Sequence, residues 1–143
     1  MKQSTNNRNA GLSLLDNRTN KSSALSDADD IQQRVALHGF DWPSWHGAFD
    51  KIVEELDEVK GELNAEAVNP VKVAEELGDL LFSVVNLIRT QDLKPETVMQ
   101  CANAKFERRF RVVERLLAEQ QITIEDATLA QMESAWQQVK LNE

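Results

Sequence analysis

The sequence predicts an all-α fold, a bundle of helices, on three observations. Gly and Pro are scarce, 5 and 3 among 143 residues, too few turn formers for a small all-β chain. Apolar residues recur at steps of three and four along most of the chain, the period of a helix face. Neither an internal repeat nor an alternation of strand and helix patterns occurs, which leaves helix packed on helix as the layer arrangement. The length suits one domain with its own core. That domain is expected over 26–143, behind a disordered polar tail over 1–25 that is rich in Asn, Ser and Thr and lacks an apolar period.

The elements follow in order. Ser26 is placed to cap a first helix through Ile31, Val35 and Leu37, ended by Gly39. Phe40-Asp41-Trp42-Pro43-Ser44 reads as a loop, with Pro43 holding the residue before it extended and Ser44 starting the next helix, which runs to about Ala65. Asn69-Pro70 marks the N-terminus of a third helix that continues to about Thr90. A fourth, from Pro95 to Gln120, carries Val98, Ala102, Phe106, Phe110, Val113 and Leu117 on one stripe. Ile122-Thr123-Ile124 is the only β-like fragment, and a last helix is expected from Asp126 to Lys140 with Leu129, Met132, Trp136 and Val139 in line.

Charge and composition exclude several functions. Asp and Glu outnumber Lys and Arg by 24 to 16, a net charge of −8, which argues against stable nucleic-acid binding or an anionic membrane surface as partner. If the chain handles phosphates, cations must mediate. The lone Cys101 rules out an internal disulfide and a Cys-based zinc site, and His38 and His46 are too few for a His-rich centre. The longest apolar stretch, Leu77 to Ile88, is broken by Gly78, Asp79, Ser83 and Asn86, and the first residues lack a signal-peptide apolar run, so a cytoplasmic protein is expected.

The second and third helices carry the chemistry. Ile52, Leu56, Val59 and Leu63 form an apolar stripe on the second, edged by Glu55, Glu58 and Glu62. Such a line of like charges repels, and an ordinary solvated flank is one explanation. The third helix offers Glu76 and Asp79 at the border of a broad apolar face, with Lys72 beside them; that face, Val73 to Ile88, is wide enough to be buried across a subunit interface. Packed side by side, the two helices would gather four oxygen donors, an environment for Mg²⁺ or Mn²⁺ rather than zinc or copper. A di-iron bundle would need Glu-x-x-His pairs, which neither His38 nor His46 supplies. On the fourth helix Lys105 and Arg109 face inward, Arg109 within the apolar stripe, either as a salt bridge to one of those acids or as an anion ligand; Arg108, Arg111 and Arg115 face out. Convergent carboxylates with inward cations fit a metal-bound polyphosphate.

Glu54-Glu55-x-x-Glu58, then Glu76-x-x-Asp79, then Lys105-Phe-Glu-Arg-Arg109 resemble the MazG family of all-α nucleoside triphosphate pyrophosphohydrolases. The likeness runs from about Gln32 through Gly39-Phe40-Asp41-Trp42 to Trp136, and is nearest to the C-terminal catalytic domain of two-domain bacterial MazG, as a truncated or stand-alone form. The resemblance implies hydrolysis of NTP or dNTP substrates, with broad specificity, to monophosphate and pyrophosphate, a nucleotide-pool house-cleaning reaction. It implies Mg²⁺, replaceable by Mn²⁺, on Glu55, Glu58, Glu76 and Asp79; substrate contacts from Lys72, Lys105, Arg109 and Trp136; Glu54 as an outer carboxylate or base; and a homodimer. Trp136 is otherwise a core residue of its stripe, and Phe40 and Trp42 are either base-stacking candidates or a hydrophobic plug. The alternative function is a catalytically silent helical dimer that senses nucleotides or binds a protein.

Overall fold

The computed structural model describes residues 13–19 and 23–143. Of the tail expected over 1–25, residues 1–12 and 20–22 lie outside the described residues. Ser13 and Asp16 close a turn, the Ser13 amide donating to the Asp16 carboxylate at 2.8 Å, and Arg18 pairs with Asp27. Five helices follow among the described residues, α1 (Ala24–Ala36), α2 (Trp45–Leu63), α3 (Pro70–Thr90), α4 (Pro95–Glu119) and α5 (Leu129–Leu141), with no strand.

Two helix starts differ from the sequence expectation, and capping chemistry explains both. Ser23, not Ser26, caps α1: its backbone is extended and its Oγ accepts from the Ser26 amide at 3.1 Å. The last helix begins at Leu129 rather than Asp126, behind a capping box in which Thr128 Oγ1 accepts from the Gln131 amide at 3.2 Å and the Gln131 side chain accepts from the Thr128 amide at 2.9 Å. Asp126 stays in the preceding turn, accepting from Thr123 Oγ1 at 2.9 Å. The Asn69-Pro70 start of α3 is as read, Asn69 Oδ1 accepting from the Val71 amide at 3.0 Å. Gly39 ends α1 in the left-handed region, φ 91°, and lets the Phe40 amide reach back to the Val35 carbonyl at 3.1 Å.

The chain packs as two compact units, one up to Glu96 and one from Thr97 to Glu143. In the first, α3 packs against both α1 and α2. Its interior is polar for its size: Ala48, Val59 and Val85 are buried together with Asp29, Gln32, Glu55 and Ser83. Gln32 donates to the Phe82 carbonyl of α3 at 2.8 Å, and Arg89 of α3 clasps Asp41 of the loop, Nη2 to Oδ1 at 2.5 Å and Nη1 to Oδ2 at 3.2 Å. The Arg89 guanidinium holds the Asp41 carboxyl below the usual range.

The inward face of α2 is not the one its leucines suggest. Ala48, Glu55 and Val59 are buried, while Leu56 is 50% and Leu63 53% exposed. With Phe49 and Val53, at steps of four, three and seven, those leucines form a stripe that the first unit leaves exposed, and Leu77, Leu81 and Val84 do the same on α3 at steps of four and three. Glu55 therefore takes a place on the packed side of α2, while Glu54 and Glu58 remain exposed. In the second unit, Val113 and Leu117 of α4 meet Ala135 and Val139 of α5, with Ile122, Ile124, Ala127 and Met132 packed around them.

Gly47 stands inside α2, where glycine weakens a helix by about 1 kcal/mol relative to alanine. A Cβ there would lie 2.5 Å from the Trp42 ring. Gly47→Ala is thus expected to lower the melting temperature and shift tryptophan emission, despite its better helix propensity; a more stable variant with unchanged emission would contradict this packing.

Candidate active site

Glu55 is the centre of the site. It is 3% exposed, and one carboxylate oxygen accepts from Lys51 Nζ, one helical turn earlier, at 2.6 Å. The other, Oε2, is buried with no hydrogen-bond partner among the described residues. A buried carboxylate oxygen left without a donor is costly unless a cation completes its shell. Glu76 and Asp79 project from α3 three residues apart, and one ligand atom from each of Glu55, Glu76 and Asp79 lies within 4.8 Å of the others. Three hard oxygen donors, one from a buried carboxylate that keeps an unpaired oxygen, fit a divalent cation and could hold one.

Glu58 stands beside this trio. The adjoining Glu55 carboxylate, and then the charge of Glu76, raise the Glu58 pKa; Lys51 lowers that of Glu55. The α2 acids thus do not titrate alike, because one has a cation at its side and its neighbour has a carboxylate. Glu54 is exposed and takes Lys51 on its other side at 2.9 Å. Lys72 is exposed in the first turn of α3, one turn before Glu76. Phe40 and Trp42 line an apolar cleft of about 370 Å³ with Val35, Phe82 and Asn86.

The second unit carries the remaining expected residues. Lys105 is exposed rather than inward-facing. Arg109 is half-buried and pairs with Glu143: Nε and Nη2 fork onto Glu143 Oε2 at 3.0 and 2.5 Å. The pair holds the Glu143 carboxyl below its ordinary range. Trp136 packs on Phe106, ring centres 5.3 Å apart, and the Arg109 guanidinium carbon sits 5.9 Å over its ring. Arg108, Arg111 and Arg115 are exposed, as their positions on α4 indicate.

Sequence reasoning missed Lys51 and Glu143. Lys51 was findable, since Lys-x-x-Glu-Glu places a cation at both i+3 and i+4 spacing from acids. Glu143 lies 34 residues from Arg109, and no local pattern announces it.

A helical chain with a buried, under-satisfied glutamate among convergent carboxylates is of the class that could hold a divalent cation between helices. The sequence makes the class specific: residues 46–113 match the MazG nucleotide pyrophosphohydrolase domain, and the chain belongs to the MazG family. It is 46% identical over 131 residues to the nucleoside triphosphate pyrophosphohydrolase of Escherichia coli K12, covering 92% of this chain and 50% of that one. It is 38% identical over 117 residues to the nucleoside triphosphate pyrophosphohydrolase/pyrophosphatase MazG of Thermotoga maritima, covering 82% of this chain and 44% of that one. A third relative, the uncharacterized protein YabN of Bacillus subtilis, is 34% identical over 79 residues, 55% of this chain and 16% of its own length. The chain spans about half the length of the first two. Glu55, Glu58, Glu76, Asp79, Lys105 and Arg109 fall inside the matched 46–113 segment, and Trp136 lies beyond it. Among the described residues no helix is long and apolar enough to cross a membrane.

Proposed function

We propose that the chain is a Mg²⁺-dependent nucleoside triphosphate pyrophosphohydrolase, cleaving NTP and dNTP substrates to nucleoside monophosphate and pyrophosphate as cytoplasmic nucleotide-pool house-cleaning. The observation that carries this is the partnerless buried oxygen of Glu55 within reach of Glu76 and Asp79, in a segment that matches a pyrophosphohydrolase domain. Glu55, Glu76, Asp79 and the adjoining Glu58 would hold Mg²⁺ or, in its place, Mn²⁺. When bound, such an ion lowers the pKa of a coordinated water and neutralises phosphate oxygens.

The chain's own residues supply the rest. Arg109 offers a two-pronged fork suited to phosphate oxygens, and Lys72 and Lys105 are the further phosphate contacts, stabilising charge on the departing pyrophosphate. Glu54 serves as an outer carboxylate or base. Trp136 is the base-contacting aromatic; a ring face accepts any base alike, which suits broad specificity.

The exposed stripes Phe49, Val53, Leu56, Leu63 on α2 and Leu77, Leu81, Val84 on α3 are proposed to be covered by a second copy, since repeats of this spacing form helix–helix seams. Sedimentation at micromolar concentration is expected to give a dimer; a stable monomer would remove this part of the account.

Incubation with a mixed NTP and dNTP panel and Mg²⁺, resolving pyrophosphate from orthophosphate, tests the reaction. Monophosphate and pyrophosphate from several bases are expected. Orthophosphate and diphosphate would make the chain a phosphatase, and tight binding with no turnover would make it a sensor.

A further inference from the structure

Lys51 has no task in the reaction just proposed, yet its ammonium is paired with two of the α2 carboxylates. Its Nζ lies 2.6 Å from Glu55 and 2.9 Å from Glu54. The two acids differ in setting: the Glu55 side chain is 4% exposed and the Glu54 side chain 58%, with Lys51 at 37% between them. One ammonium therefore bridges a buried carboxylate of the metal-holding trio to a solvated carboxylate outside it.

Without that ammonium, Glu55 would be buried beside Glu58, Glu76 and Asp79 with no cation against it. Like carboxylates at close range repel each other, and the Lys51 ammonium, 2.6 Å from Glu55, offsets that repulsion. A divalent ion taken up by the trio would neutralise the same carboxylate. Two cations competing for one partly buried carboxylate repel each other, and a lysine on its flexible four-carbon stem is the one able to move. Glu54 is already in hydrogen-bond contact and needs no rearrangement to retain it.

We propose, resting on the metal-site reading above, that Lys51 is the displaceable counter-cation of the cluster: a divalent ion entering among Glu55, Glu76 and Asp79 drives its ammonium off Glu55, and Glu54 retains it. Lys51 thereby acts as a positioning residue that sets metal affinity, and Glu54 acts through Lys51 rather than on the metal.

Titration with Mn²⁺ alone at fixed ionic strength, following free Mn²⁺ by its paramagnetic resonance, tests this without any turnover. Lys51→Met should bind Mn²⁺ roughly fivefold tighter than the parent, the scale of one exposed ion pair removed from competition, and should melt earlier without metal. Lys51→Gln, a polar substitute, should bind tighter in the same way, while Lys51→Arg should stay within about twofold of the parent because it keeps the charge. Glu54→Gln should weaken Mn²⁺ binding about twofold in the parent and leave it unchanged in the Lys51→Met background, a non-additivity that a simple loss of negative charge would not produce. Unchanged or weaker binding in both neutral Lys51 variants overturns the inference, as does an equal effect of Glu54→Gln in both backgrounds. Asp79→Asn separates the two levels: if it leaves Mn²⁺ binding intact, the metal-site reading itself fails, and this inference with it.

Discussion

Glu58→Gln or Asp79→Asn is expected to cut turnover about a thousandfold, the scale of losing a well-placed metal from a hydrolytic site, while leaving the metal-free chain at least as stable as the parent. The two halves of this result have one cause. The charges of Glu55 and Glu76 raise the Glu58 pKa, so in the folded chain the ionised form is disfavoured. A carboxyl raised in this way contributes nothing below its unfolded pKa, destabilises the fold increasingly as pH rises from the unfolded to the folded value, and costs a constant amount above it. At neutral pH a neutral Gln therefore relieves repulsion. Melting curves without metal, beside rates with it, decide the matter: variants that unfold early yet keep their activity would mean that these acids are structural.

Arg109→Ala is expected to lower kcat/KM roughly a hundredfold, as loss of one charged donor to a transition state does, and in contrast to the carboxylate variants it should also lower the melting temperature. Glu143 loses the guanidinium on which both Nε and Nη2 converge, and Trp136 loses the cation over its ring. Glu143→Gln is the control. It breaks the same pair from the other side, so it should share the stability loss while retaining most activity. Equal loss of activity in both variants would show that Arg109 acts through the fold of α4 and α5 and not on phosphate.

The residue patterns that made these experiments nameable were local. Helix period and the Asn69-Pro70 signal placed the helices, and the Glu76-x-x-Asp79 spacing placed two of the three clustered carboxylates. The misreadings arose where local signals compete. Ser23 and Ser26 both resemble an N-cap, and only the extended backbone at Ser23 decides between them. On α2 the stripe of Ile52, Leu56, Val59 and Leu63 is buried only at Val59, while Leu56 and Leu63 stay half exposed and Glu55 is buried, a choice set by contact with α3 rather than by the helix itself. The partner of Arg109 was illegible for a similar reason, since a pair between helix and distant residue depends on how α5 returns along α4.

Glu55, Glu76 and Asp79 are proposed to hold a divalent ion. Crystals grown with Mn²⁺ and measured for its anomalous scattering test it most directly. A peak bonded to oxygens of Glu55, Glu76 and Asp79, with Lys51 Nζ no longer on Glu55, is the predicted result. A peak elsewhere with these carboxylates still paired to Lys51, or no peak at saturating Mn²⁺, would contradict the account.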